Sequence, residues 1–152
     1  MMLPLLLAAA AMREVPKPVP PPAPAQIDGL PIGGLARQAL PATGCAAYLW
    51  TATAEKRVLV AMASADAGQL RLALDGAVVD LPRTVQSGAS SFGLAESTGY
   101  AVGGTHATLD LHVETRGDLV KGGVVSDGSL RLDRDGKDGV VVPVTGLIGC
   151  AG

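Results

Sequence analysis

Aromatic side chains make up only 3% of the 152 residues: Trp50, Tyr48, Tyr100 and Phe92 are the whole supply. So few rings leave little to stack on sugars or on the bases of single-stranded nucleic acid. Positive charge is not in excess either. Twelve Lys and Arg against 14 Asp and Glu give a formal charge of -2 and a pI near 5.6, with no clustered cationic footprint for nucleic acid. Two His and two Cys are a poor ligand supply, and no Cys-x-x-Cys is present for redox work. A membrane-spanning helix is also missing, because the N-terminal apolar run MMLPLLLAAAAM falls short of the roughly 20 residues that a bilayer core requires.

That run fits a secretory h-region instead, and residues 1–11 are expected to be a signal peptide with an Ala-x-Ala cleavage site, although nothing before Arg13 is charged. Residues 12–26, containing VPKPVPPPAPAQ, form a Pro-rich linker too poor in backbone donors for helix or ladder. Residues 27–152 remain for one domain, expected to work in the periplasm or as a secreted protein.

The stretch LPATGC, residues 40–45, carries an LPxTG sortase signal and most of a lipobox. Both fail by position. More than 100 residues of patterned chain follow the first, and the proline-rich stretch separates Cys45 from the leader's apolar core. Cys45 and Cys150, the only cysteines, bracket the patterned region of a chain read as exported, so a disulfide is expected. Closing a loop of about 100 residues contributes up to roughly 4.7 kcal/mol in the chain-entropy model.

Between the cysteines the period is two. QLRLALD (69–75) puts Leu70, Leu72 and Leu74 on one face, and Asp75-Gly76 is a hairpin signal leading into AVVDL. THATLDLHVET (105–115) sends Ala107, Leu109, Leu111 and Val113 inward and His106, Thr108, Asp110, His112 and Glu114 outward. Further strands are predicted at AAYLWT, RVLVAMA, SFGLAES, LVKGGVV, SLRLD and VVVPV. Only GGLARQAL (33–40) reads as a short N-terminal helical turn, ended by Pro41 and packed across one end of the sheet. The expected fold is all-β: a small antiparallel barrel or sandwich of about eight strands, its ends joined by the disulfide. A membrane barrel would need aromatic girdles that this chain lacks.

Catalytic sets are thin. His106 and His112 share a strand face but stand roughly 20 Å apart at about 6.8 Å per same-face step, so at most Asp110, His112 and Glu114 lean together, as a metal-dependent hydrolase would need. DRDGKDG (133–139) lacks the glycine and glutamate positions of an EF-hand and reads as a hairpin loop. SGASSFG (87–93) lacks the Gly-x-Ser-x-Gly elbow and reads as a loop anchored by Phe92. No enzyme, no metal and no cofactor is expected.

The span from Cys45 to Cys150 resembles the periplasmic and membrane-bound inhibitors of C-type lysozyme from Gram-negative envelopes. The shared features are an early and a late cysteine, a strand pair like LALDGAVVDL, a Ser-Gly-Ala motif at Ser87, Gly88 and Ala89, and a second motif matched at Gly104 and Ala107. The resemblance implies a small β-barrel that presents both motifs to a lysozyme cleft, with Phe92 standing one residue from the family's aromatic. Gly103 occupies the family's lysine position and His106 its glutamate position, which removes the cation that would meet the enzyme's carboxylates. Lys121 lies on a different predicted strand. The candidate binding residues are thus Ser87, Gly88, Ala89, Phe92, Gly104 and His106. The expected function is a non-enzymatic envelope module, binding or structural, whose partner the sequence does not name, a protein of the envelope being the candidate; inhibition of C-type lysozyme is the alternative.

Overall fold

Alternation of inward and outward side chains, joined by turns that allow positive φ, builds the whole sheet. The computed structural model describes residues 27, 29–52 and 56–152; the expected leader (1–11) and linker (12–26) lie outside the described residues. Nine strands follow in order: β1 (Ile32–Gly33), β2 (Cys45–Thr51), β3 (Leu59–Ser64), β4 (Gln69–Leu74), β5 (Ala77–Ser91), β6 (Leu94–Val102), β7 (Thr105–Glu114), β8 (Gly122–Arg134) and β9 (Val140–Cys150). From β2 to β9 each strand pairs antiparallel with its neighbour in sequence, and β9 returns to β2. The result is a closed eight-stranded barrel, with β1 added to the end of β4 that β3 leaves unpaired.

Two hairpins turn on two residues with positive φ, the pattern whose twist matches that of the strands. Asp75 (φ 49) and Gly76 (φ 85) make the one that the Asp-Gly signal predicts. Phe92 (φ 56) and Gly93 (φ 77) make the other, in the middle of SFGLAES, so that stretch is two strand ends around a turn and not one strand. Conversely, the GGVV end of LVKGGVV joins SLRLD in the single strand β8, while Leu119, Val120 and Lys121 precede it outside the sheet. The Ser-Asp-Gly between them is no turn but a bulge, with the pairing to β9 shifting between Val125 and Gly128.

Leucine and alanine fill the interior. Leu49, Leu70, Leu72, Leu81 and Leu130 have no exposure at all, and neither do Ala47, Ala61 and Ala63 on β2 and β3. Eight strands enclose a space just wide enough for side chains, so small residues on one wall facing leucines on the other close it without aromatic bulk. Tyr100 is the only aromatic residue that is buried among the described residues. At one mouth Ile32, fully buried, lies beside Leu74, and Arg134 reaches across from β8 to Asp75 in the β4–β5 turn, Nη1 to Oδ2 2.6 Å.

The helical turn expected over 33–40 does not form; Gly33 belongs to β1 and residues 34–40 contain no helix. The reason is tertiary. A helix this short is marginal by itself, and two adjacent glycines weaken it further. Extended, the segment gains partners on the barrel's outer wall. The Leu35 N–H donates to the Leu59 carbonyl (2.7 Å), Arg71 donates to Gln38 Oε1 (2.8 Å), and the Tyr48 hydroxyl donates to the Ala39 carbonyl (2.8 Å). The chain thus runs as a strap down the outside, not as a plug across the end.

Candidate functional site

Two depressions lie on the outer wall of the barrel. Alternation along β2 sends Ala47, Leu49 and Thr51 inward and Tyr48 and Trp50 outward, about 6.8 Å apart on one face. Tyr48 is in register with Met62 on β3 and Leu147 on β9; Trp50 is in register with Leu59 and Thr145. The strap then stands beside these side chains and makes a wall. Leu35, Arg37 and Leu40 of the strap, with Tyr48, Trp50, Arg57 and Leu59, line a depression of about 1000 Å3. A second depression of about 450 Å3 continues on the other side of Trp50 and Arg57, over Val124, Thr145 and Leu147, and reaches Arg116. Together they form one groove crossing β3, β2, β9 and β8, about 14 Å wide at the usual strand spacing.

Arg57 lies over the middle of it. Its guanidinium carbon is 6.0 Å from the centre of the Trp50 ring, and its Nη2 donates to Thr145 Oγ1 at 3.1 Å. The contact with the indole face is an electrostatic attraction of about 0.5–1 kcal/mol at an exposed site. It holds the cation where the two depressions meet. Arg71, Arg131 and Arg134 are engaged by carboxylates, Asp80, Asp133 and Asp75 in turn, and Arg83 donates to the Ala65 carbonyl. Arg116 faces Asp118 at 3.5 Å. Among the described residues, Arg37 and Arg57 have no carboxylate partner, and no carboxylate lines either depression. Acidic groups gather elsewhere, where Glu96, Asp110 and Asp127 line a depression centred on β7. Burial raises the Tyr48 phenol above its ordinary pKa, in keeping with its role as a donor to the strap.

The residues singled out by sequence fall in two places. Ser87, Gly88 and Ala89 lie in β5 itself, not in a loop, on an arm where β5 runs past its last β4 partner, Pro82, and pairs only with β6. Gly88 (φ 83) sits in a bulge between Ser87 and Ser90. Phe92 closes this arm and packs against the core beside Gly123, whose missing Cβ would strike its ring. Gly104 and His106 stand at the far end of β6, where His106 pairs with Ala101 while Ser87 pairs with Ser97. Four residues of strand, about 14 Å, separate the two motifs. On β7, His112 Nε2 approaches Glu114 Oε1 at 3.6 Å, both exposed. Among the described residues no three His, Cys, Asp or Glu are placed to hold a metal.

The groove itself was legible only in part. AAYLWT puts both large rings in the phase opposite Ala47 and Leu49, which is the signal that Tyr48 and Trp50 face outward; nothing local says that residues 34–40 stand beside them.

No helix among the described residues is long and apolar enough to cross a membrane. No protein-family model matches the chain, and no curated protein or solved structure matches it either.

Proposed function

We propose that this chain is a non-catalytic binding protein exported to a bacterial envelope, and that the groove around Trp50 and Arg57 is its binding face. One observation carries the reading: in a chain with four aromatic residues, the only tryptophan is spent on the outer wall, under an arginine without a carboxylate partner among the described residues. Half-buried aromatic rings beside a few polar or charged groups in a concave surface are the usual makings of a ligand site. Export is supported by the Cys45–Cys150 disulfide, which suits an oxidising compartment. The non-catalytic reading is supported by the lining of the groove, which among the described residues includes no histidine, cysteine or carboxylate. The test is to titrate isotope-labelled protein with a panel of amphiphiles, sugars and short peptides. Amide and indole shifts concentrated at Tyr48, Trp50 and Leu147 for at least one member are expected; a panel that moves none of them rejects the groove.

A second reading is inhibition of C-type lysozyme, favoured by the exposure of Ser87, Gly88 and Ala89 along the β5–β6 arm. Cell-wall lysis timed with and without micromolar protein decides it, and an unchanged rate removes it.

A further inference from the structure

We infer that the groove takes an amphipathic anion, a single hydrocarbon chain ending in a carboxylate, with the headgroup on Arg57 and the chain along Tyr48 and Leu147. This rests on the groove being the binding face and goes on to say what it selects. The first ground is charge. Among the described residues Arg37 and Arg57 lack carboxylate partners, and no carboxylate lines the groove. A guanidinium carries five N–H donors, and Arg57 donates one of its bonds to Thr145, which leaves a fork open for a carboxylate.

The second ground is the state of the other polar groups. The Tyr48 hydroxyl donates to Ala39, Gln38 accepts from Arg71 and donates to the Ala36 carbonyl, and Thr145 accepts from Arg57. An extended peptide brings a donor and an acceptor with every residue, and a sugar brings several hydroxyls; both lose water here and find few partners. Strand addition is closed off as well, because β2 is paired on both sides, to β3 and β9. A hydrocarbon makes no such demand. Leu40 at 59% and Leu147 at 50% exposure stand at the groove with apolar surface to cover.

Trp50 is the only tryptophan, so its emission reports on the site alone. The experiment titrates the oxidised full chain with decanoate, 1-decanol and decyltrimethylammonium, all kept monomeric. Decanoate is expected to shift the emission to shorter wavelength and to saturate, at least tenfold more tightly than the other two. Arg57→Gln should weaken decanoate roughly tenfold or more, toward the level of decanol. Arg131→Gln, on a side chain bonded to Asp133 outside the groove, should change nothing. Decanol or the cation binding as tightly as decanoate, or decanoate indifferent to Arg57→Gln, overturns the anionic ligand and leaves the groove as a binding face. A shift that never saturates, or no shift with any of the three, also overturns it. In those cases the groove stands if sugars or peptides still move its resonances, and falls if they do not.

Discussion

Cys45 and Cys150 are register partners at the seam where the first and last barrel strands meet, their sulfurs bonded and their Cα atoms 3.9 Å apart. The link spans 105 residues, so breaking it releases nearly the whole domain in the unfolded state. Six further register pairs join β2 to β9, enough to keep the barrel closed without it. Replacing both cysteines by serine is expected to lower stability by about 2–5 kcal/mol in denaturant melts, with the far-ultraviolet dichroism unchanged. A loss within error of zero contradicts the seam as a constraint.

Leu130 has no exposure and faces Leu109 and Val142 across its two ladders, whereas Leu147 is 50% exposed on the wall. Leu130→Ala should cost about 2–5 kcal/mol through lost transfer energy and the cavity it leaves. Leu147→Ala should stay within about 0.5 kcal/mol. Equal costs in urea titrations reverse the inward and outward assignment.

Gly146 pairs with Leu49 at the same seam, and a Cβ there would run into the Tyr48 carbonyl oxygen. Backbone cannot swing aside as a side-chain tip can. Gly146→Ala is therefore expected to cost about 1–3 kcal/mol and to move the Trp50 emission. Gly117, with open space around its missing Cβ and no positive φ, is the control, and alanine there should be silent.

Burial raises the pKa of the Tyr100 phenol, with the charge of Arg83 and a hydrogen bond from Thr98 working against it. The folded protein therefore holds this proton more tightly than the unfolded chain does. Its contribution to stability is complete below the ordinary tyrosine value of about 10 and is lost as pH rises from there through the folded value. Denaturant melts at increasing alkaline pH should show stability falling in this window, with a smaller slope in Tyr100→Phe. An unchanged slope in that variant assigns the alkaline loss to other groups.

Much of the fold could be read locally. THATLDLHVET became β7 with Ala107, Leu109 and Leu111 buried, and Asp75-Gly76 made its hairpin turn. Phe92-Gly93 was harder to see, since phenylalanine rarely takes positive φ and the flanking residues alternate as a strand would. The bulge at Ser126 to Gly128 was hidden for a related reason: the same three residues serve a turn or a bulge, and the choice depends on how β7 and β9 line up on either side. Residues 34–40 were misread because their partners, Leu59, Arg71 and Tyr48, belong to strands that follow later in the chain.

Period, turn chemistry and cysteine placement are local properties, and they determined by themselves an all-β chain with leucine faces and a link between its ends. Closure of the β2–β9 seam and the path of the strap are non-local, settled by hydrogen bonds between residues far apart in sequence. The groove depends on both. Trp50 faces outward because of its phase in β2, but only the strap at Leu35 to Leu40 and the guanidinium of Arg57 turn that outward, half-buried ring into a concave, cationic site.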